Sequence, residues 1–242
     1  MTIVFQEGLE DLSKWDRVDQ AAGGIATITD AKMIYGKHMI GTGPPDSTRP
    51  QARVAKLFPN KPNLLYARGY FSVEQGDPNG GLSLLSMITG SISSAVIRFI
   101  NVGGVNQLQL VWQTYAGGPY NQKVFTPAVP LEYGRVYMLE LMIKVGTSGE
   151  VRAWVDEQLA CEVLAVDNSA LVGIDEVRFG LVAFLGTGGA IVHVDEAAIG
   201  DSYIGPFVPP KPPVGANIWV PVAIGATIGL GLLAAVYLSR RK

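Results

Sequence analysis

Three stretches of this sequence place chemically capable side chains at alternating positions, the spacing that puts them on one face of a β-strand. In "YARGYFSV" these are Tyr66, Arg68, Tyr70 and Ser72. In Glu150–Asp156 they are Glu150, Arg152, Trp154 and Asp156, opposite Val151, Ala153 and Val155. In Glu176–Val182, Glu176 and Arg178 oppose Val177 and Phe179. The stretch "TYAGGPYNQ" adds Tyr115 and Tyr120 at a loop rim. Guanidinium, carboxylate and aromatic groups on one floor suit a saccharide: rings stack on the apolar faces of pyranose, and charged groups bond its hydroxyls. The same residue types also decorate the solvent face of any antiparallel sheet, where cross-strand Arg–Glu pairs are common. Trp154 separates the two readings, since it is either covered by a loop, such as residues 113–122, or exposed as a sugar platform.

Other chemistries are thinly supplied. The chain has two histidines, His38 and His193, with no third ligand near either in sequence, so a zinc centre or a histidine triad is poorly supported. Cys161 is alone, in the apolar run "LACEVLAV", and reads as a small core hydrophobe. No glycine-rich phosphate loop precedes a helix.

The elements that must position these groups read as strands: "LLYARGYFSV", "LSLLSMIT", "SAVIRFIN", "QLQLVWQT", "RVYMLELMIKV", "EVRAWVD", "EVRFGLVAF" and "AIVHVDEAAIG", punctuated by "QGDPNGG", "NVGG", "VGTSG" and "LGTGG". No long helical period appears before residue 218. The pattern predicts an all-β antiparallel sandwich or jelly roll.

The order of "YARGYFSV", "YMLELMIKVGTSGEVRAWVDEQL", "DEVRFGL" and "VHVDEAAIGDSYIGP", after the opening "FQEGLEDLSKWDRV", resembles the concanavalin A-like lectin/glucanase superfamily in its laminin-G-like branch, over roughly residues 3–206. The resemblance implies a two-sheet jelly roll that binds glycans or proteins on its concave sheet or loop rim. It also implies a structural calcium near the first and last strands, for which Glu7 and Asp195 are the candidates. The usual Asp-Gly hairpin turn departs from the pattern, with Glu157 after Asp156. The hydrolase branch carries an E-x-D-x-x-E run, and no such run is present. The expectation is therefore a non-catalytic module for glycan recognition or adhesion. The alternative is a structural coat or envelope protein of a cell or membrane-containing virus, making lateral contacts through the sandwich.

The end of the chain predicts a membrane attachment. Residues 207–217 form a proline-rich spacer, and Ile218–Leu238 is free of charge and long enough to span a bilayer as a helix, before the basic tail 239–242. Gly225 and Gly229 have the spacing that lets two such helices pack, which would give a homo-oligomer. Lys211 and the tail account for four of the 19 Lys+Arg, and all 21 Asp+Glu lie before them, so residues 1–210 carry about −6. That balance argues against a nucleic-acid partner and leaves a glycan or surface protein. The basic tail predicts a cytoplasmic end and an extracellular sandwich at the cell or virion membrane. Protease added to intact cells is expected to remove the sandwich and leave a small membrane-bound fragment; full protection until lysis would place the sandwich inside.

Overall fold

The computed structural model describes residues 2–209 apart from 32, 46–48, 77–80, 115–120, 128, 185 and 187–188. The expected spacer beyond residue 209, membrane segment, Gly225–Gly229 pair and basic tail lie outside the described residues. Among those described, no helix is long and apolar enough to cross a membrane.

Fifteen strands follow one another among the described residues: β1 (Ile3–Glu7), β2 (Arg17–Ala21), β3 (Ile25–Thr29), β4 (His38–Gly43), β5 (Gln51–Leu57), β6 (Leu64–Gln75), β7 (Leu82–Thr89), β8 (Ile92–Val102), β9 (Val105–Thr114), β10 (Asn121–Phe125), β11 (Tyr137–Lys144), β12 (Gly149–Val155), β13 (Gln158–Val166), β14 (Glu176–Phe184) and β15 (Ala190–Gly200). They form two antiparallel sheets. One is eight-stranded, ordered β13-β12-β11-β6-β15-β4-β3 with β1 also on β15; the other is seven-stranded, ordered β10-β9-β8-β7-β14-β5-β2. The compact unit runs over Met1–Val208.

Period-2 alternation makes each strand two-faced. Leu65, Ala67, Phe71, Leu139, Leu141, Val151, Val192 and Val194 face inward from one sheet, and Val54, Leu85, Ile97, Phe99, Leu110 and Phe179 from the other. Trp15 joins this core edge-on to Phe179, at 5.5 Å between ring centres. Cys161 is buried in it, as its apolar run predicts, and burial pushes its thiol up to about 11.

Two departures from regular alternation shape the outer faces. At β15 the register with β6 shifts between Asp195 and Ala198, and Glu196 takes a left-handed φ of 46°. The bulge turns successive acidic residues, Asp195 and Glu196, away from the apolar layer. The β12–β13 turn uses Asp156 and Glu157, both left-handed at φ 48° and 69°. Asn-Gly or Asp-Gly would adopt this turn more easily. Here Asp156 is pinned from both sides, since its backbone N–H donates to Met138 O and its carboxylate accepts from Met138 N, each at 2.9 Å.

Gly180 in β14 sits at φ 118°, where the register with β7 shifts. A Cβ there would lie 2.7 Å from both the Ala52 carbonyl oxygen and Met39 Cε. Gly180→Ala is expected to lower unfolding stability by about 1–3 kcal/mol in denaturant titration, the usual cost of a forced backbone conformation; an unchanged midpoint would show that the strand relaxes freely.

Candidate functional site

The eight-stranded sheet does bring Tyr66, Arg68, Tyr70, Arg152 and Trp154 onto one outer face. Arg68 stands opposite Glu140 on β11, Trp154 opposite Glu140 from the other side, and Tyr66 opposite Met142. Much of this floor is occupied by the chain itself. After β15 the backbone folds across it: Ile204 N and Gly205 N donate to the two oxygens of Glu140 at 2.8 and 3.0 Å, and Phe207 N donates to the Tyr70 hydroxyl at 2.8 Å. Tyr203 lies 5.2 Å from Trp154 between ring centres, and Tyr66 6.1 Å from it on another side. Trp154 is thus packed against the segment that follows β15; most of the loop 113–122 expected over it lies outside the described residues. Arg68 is 1% exposed, its guanidinium carbon 5.3 Å from the centre of the Tyr70 ring, and its Nε and Nη1 have no hydrogen-bond partner. Arg152 is spanned by Glu150 and Glu162, at 2.9 and 2.8 Å.

The residues proposed for calcium are both engaged within the protein. The Glu7 carboxylate pairs with Lys14 at 3.0 Å, and that of Asp195 accepts from Ile34 N, Tyr35 N and Glu196 N at 2.8–3.2 Å. Among the described residues no three His, Cys, Asp or Glu side chains are grouped to hold a metal ion.

Arg178 belongs to the other sheet. The outer face of the seven-stranded sheet carries Arg17 and Asp19 (β2), Arg53 (β5), Glu176 and Arg178 (β14), Ser83 and Ser86 (β7), Arg98 (β8), and Gln109 and Gln113 (β9), each alternating with a core residue. Glu176 takes a two-pronged contact from Arg178, Nε at 2.6 Å and Nη2 at 3.0 Å, and a further one from Arg17. Asp19 pairs with Arg17 at 2.7 Å and Arg53 at 2.9 Å, and Arg53 Nη1 also donates to Val182 O at 2.7 Å. These forks use the geometry in which guanidinium and carboxylate match best.

Arg98 differs from the others. It lies directly between Ser83 and Gln109 in the ladder, and its one hydrogen bond to a described residue is a long contact from Nε to Ser83 Oγ, at 3.3 Å. No carboxylate among the described residues pairs with it, and burial alone draws its pKa down. Two neutral oxygens on the same face, Ser86 Oγ and Gln113 Oε1, are buried without a hydrogen-bond partner. Four guanidiniums against two carboxylates leave the face about two charges positive, on a chain whose net charge is −2. Such a surface attracts an anion bearing hydroxyls. Tyr115 and Tyr120 belong to the β9–β10 connection and lie outside the described residues.

No family model and no curated protein sequence matches the chain. Among solved structures, the fold is similar to an endo-β-1,4-glucuronan lyase from the fungus Trichoderma reesei, with TM-score 0.67 and 18% identity over 83% of this chain and 96% of the lyase. It is also similar to the cellulose induced protein Cip1, with TM-score 0.59 and 16% identity over 84% of this chain and 100% of Cip1. The alginate lyase Aly36B matches with TM-score 0.55 and 9% identity over 72% of this chain and 86% of that one. These neighbours are jelly-roll β-sandwiches of the concanavalin A-like kind, which establishes that fold here. They also correct the expectation of a non-catalytic adhesion or coat protein and of no enzyme: the absence of an E-x-D-x-x-E run excludes one hydrolytic mechanism, whereas solved proteins of this same fold are named as lyases of glucuronan and alginate.

The buried acids of the eight-stranded sheet give a pH test. Burial pushes Glu140 up to about 7 against the pull of the Ile204 and Gly205 N–H groups and Arg68, and Glu196 up to about 7 with the help of Asp195. Their ordinary value is 4.5, so across this interval the folded chain keeps protons that the unfolded chain has released, and stability falls as pH rises from 4.5 to about 7. Asp16 and Asp19, whose partners hold them below the usual carboxylate value, act below that window with opposite sign. The melting temperature is expected to be higher near pH 5 than near pH 8, with the difference reduced in Glu140→Gln. A profile that rises across the window would mean that Arg68 keeps both carboxylates charged.

Proposed function

We propose that the protein is a carbohydrate-active enzyme that cleaves an acidic polysaccharide by elimination, with the outer face of the seven-stranded sheet as its binding floor. The observation that carries this reading is Arg98: a half-buried guanidinium without a carboxylate among the described residues, in the same sheet face as the unpartnered oxygens of Ser86 and Gln113. A buried cation in this state gains most from an incoming anion. The sugar carboxylate of a uronic acid is such an anion, and the hydroxyls beside it supply donors to the two oxygens. The resemblance of the fold to lyases named for glucuronan and alginate supports the same reading.

Elimination needs a carboxylate made less negative, a base and an acid. Removing the proton at C5 of a uronate places charge on its carboxylate, where Arg98 would stabilise it. The bond from C4 to the glycosidic oxygen then breaks, C4 and C5 become doubly bonded, and the departing oxygen takes up a proton; no water is consumed. The seven strands of this sheet contain neither tyrosine nor histidine. The proton transfers are accordingly assigned to Tyr115 and Tyr120 of the β9–β10 connection, whose phenols act as bases near neutral pH when cations are close. Gln109 and Gln113 would bond sugar hydroxyls. Ile218–Leu238 would attach the enzyme to a membrane, on the evidence of the sequence.

Incubation with polyglucuronate or alginate is expected to generate the ultraviolet absorbance of an unsaturated uronate end. Arg98→Ala should lower kcat/KM by about 100-fold or more with the thermal melt little changed, as expected for loss of one charge-stabilising donor. Tyr115→Phe or Tyr120→Phe should lower kcat with substrate binding retained. Binding without any unsaturated product, or an Arg98→Ala variant at the wild-type rate, would defeat this reading.

A further inference from the structure

The two histidines, far apart in sequence, meet on the outer face of the eight-stranded sheet. His38 Nδ1 lies 2.7 Å from the Ala31 carbonyl oxygen, and His38 Nε2 lies 2.7 Å from His193 Nδ1. The directions of these bonds fix the hydrogens. A carbonyl oxygen only accepts, so His38 Nδ1 carries the hydrogen. His38 is almost completely buried, with a second imidazole rather than a carboxylate against its Nε2, surroundings that favour an uncharged ring. Its Nε2 is then a bare acceptor, and His193 Nδ1 must be the donor. The remaining ring nitrogen, His193 Nε2, is buried without a hydrogen-bond partner. It lies 3.1 Å from Glu74 Oε1, but without the alignment of a hydrogen bond. With Nδ1 as the donor to His38, the second ring nitrogen and the Glu74 oxygen stand side by side with no hydrogen bond joining them.

We propose that a divalent transition-metal ion fills this gap, bound by His193 Nε2 and the Glu74 carboxylate, with water completing its shell. Two ligands each about 2.0–2.2 Å from an ion stand about 3.4 Å apart at the tetrahedral angle of zinc and about 3 Å apart at the right angle of a tetragonal copper or nickel shell. The latter matches the observed separation, and an oxygen off the axis of the nitrogen lone pair is what two ligands on one ion require. His38 plays the part of an outer partner: by accepting from Nδ1 it fixes the His193 tautomer with the lone pair on Nε2. Glu74 is 54% exposed at its side chain, which gives the ion a route to solvent. Mixed imidazole and carboxylate donors suit zinc, nickel or copper rather than calcium. Since no third His, Cys, Asp or Glu among the described residues joins the group, affinity should be modest. The site lies on the opposite sheet from Arg98 and stands independently of the proposed elimination reaction.

Titration of the full chain with zinc, nickel or copper, followed by calorimetry and by nitrogen-edited spectra of the imidazoles, tests this directly, because the chain holds two histidines in all. One ion per chain is expected, perturbing His193 Nε2 and leaving His38 Nδ1 protonated. His193→Gln should abolish binding, Glu74→Gln should weaken it at least about 10-fold, and His38→Gln should weaken it about 10- to 100-fold, as loss of an outer partner does. Copper bound to the wild type should show coupling to one histidine nitrogen. If His38→Gln fails to fold, the half-exposed Glu74 variant still decides the matter. Unchanged binding in His193→Gln would overturn the proposal. So would a metal-free His193 carrying hydrogens on both nitrogens with no ion taken up at millimolar metal, since a proton would then fill the gap.

Discussion

A guanidinium buried in the middle of a sheet is a constraint on everything around it. Arg68 lies across from Glu140 on the eight-stranded sheet and is almost wholly removed from water. An ionised group in that position is tolerated only where opposite charge and hydrogen bonds replace the lost hydration. Glu140 and Glu196 supply that charge above about pH 7, once both have released their protons, and the bulge at Glu196 turns the second of them outward. The oxygens of Glu140 are satisfied in turn by the backbone of Ile204 and Gly205. The path of the chain after its last strand thus follows from the charge it covers.

This closure divides the labour between the sheets. One outer face is partly sealed by a segment of the chain, with Trp154, Tyr66, Tyr70 and Tyr203 spent on packing. The other keeps its guanidiniums in a plane, and one of them lacks a carboxylate among the described residues. Had the polar residues of both sheets been equally paired, nothing would distinguish a binding surface from a solvated one. On the open face Arg17, Arg53 and Arg178 each have a carboxylate within ion-pair distance and Arg98 has none among the described residues; Arg68 on the other sheet also lacks one, but it lies where the segment after β15 covers the face.

Much of the sandwich was legible because period-2 patterning reports directly on burial. The alternation in β6 and β12 assigns their outward residues correctly, and the jelly-roll reading agrees with the solved neighbours. Alternation reports a face, however, and not which sheet owns it; Arg178 was therefore grouped with Arg68 and Arg152, from which a whole core separates it. The covering segment was illegible for a different reason. It is held by backbone N–H groups, which every residue but proline has, so no side-chain pattern announces it. Arg98 was visible as a lone charge inside "SAVIRFIN", opposite a glutamine strand, but its importance lies in a missing partner, and pairing is a property of the fold. The meeting of His38 with His193 likewise needed the β4–β15 register.

The Arg68–Glu140 arrangement also bears on how such a chain can change over generations. Replacing Glu140 alone takes an acidic neighbour from a buried guanidinium that has no carboxylate in ion-pair contact among the described residues, and loss of compensation around a buried charge costs about 3 kcal/mol or more, a large share of the whole margin of many domains. Exchange of the two for an apolar pair is open thermodynamically but must cross that barrier in single steps. The segment pinned to Glu140 inherits the same immobility, reinforced by the packing of Tyr203 on Trp154. Descendants of this sequence should therefore preserve the sealed sheet as a fossil while the open one drifts from one ligand to another.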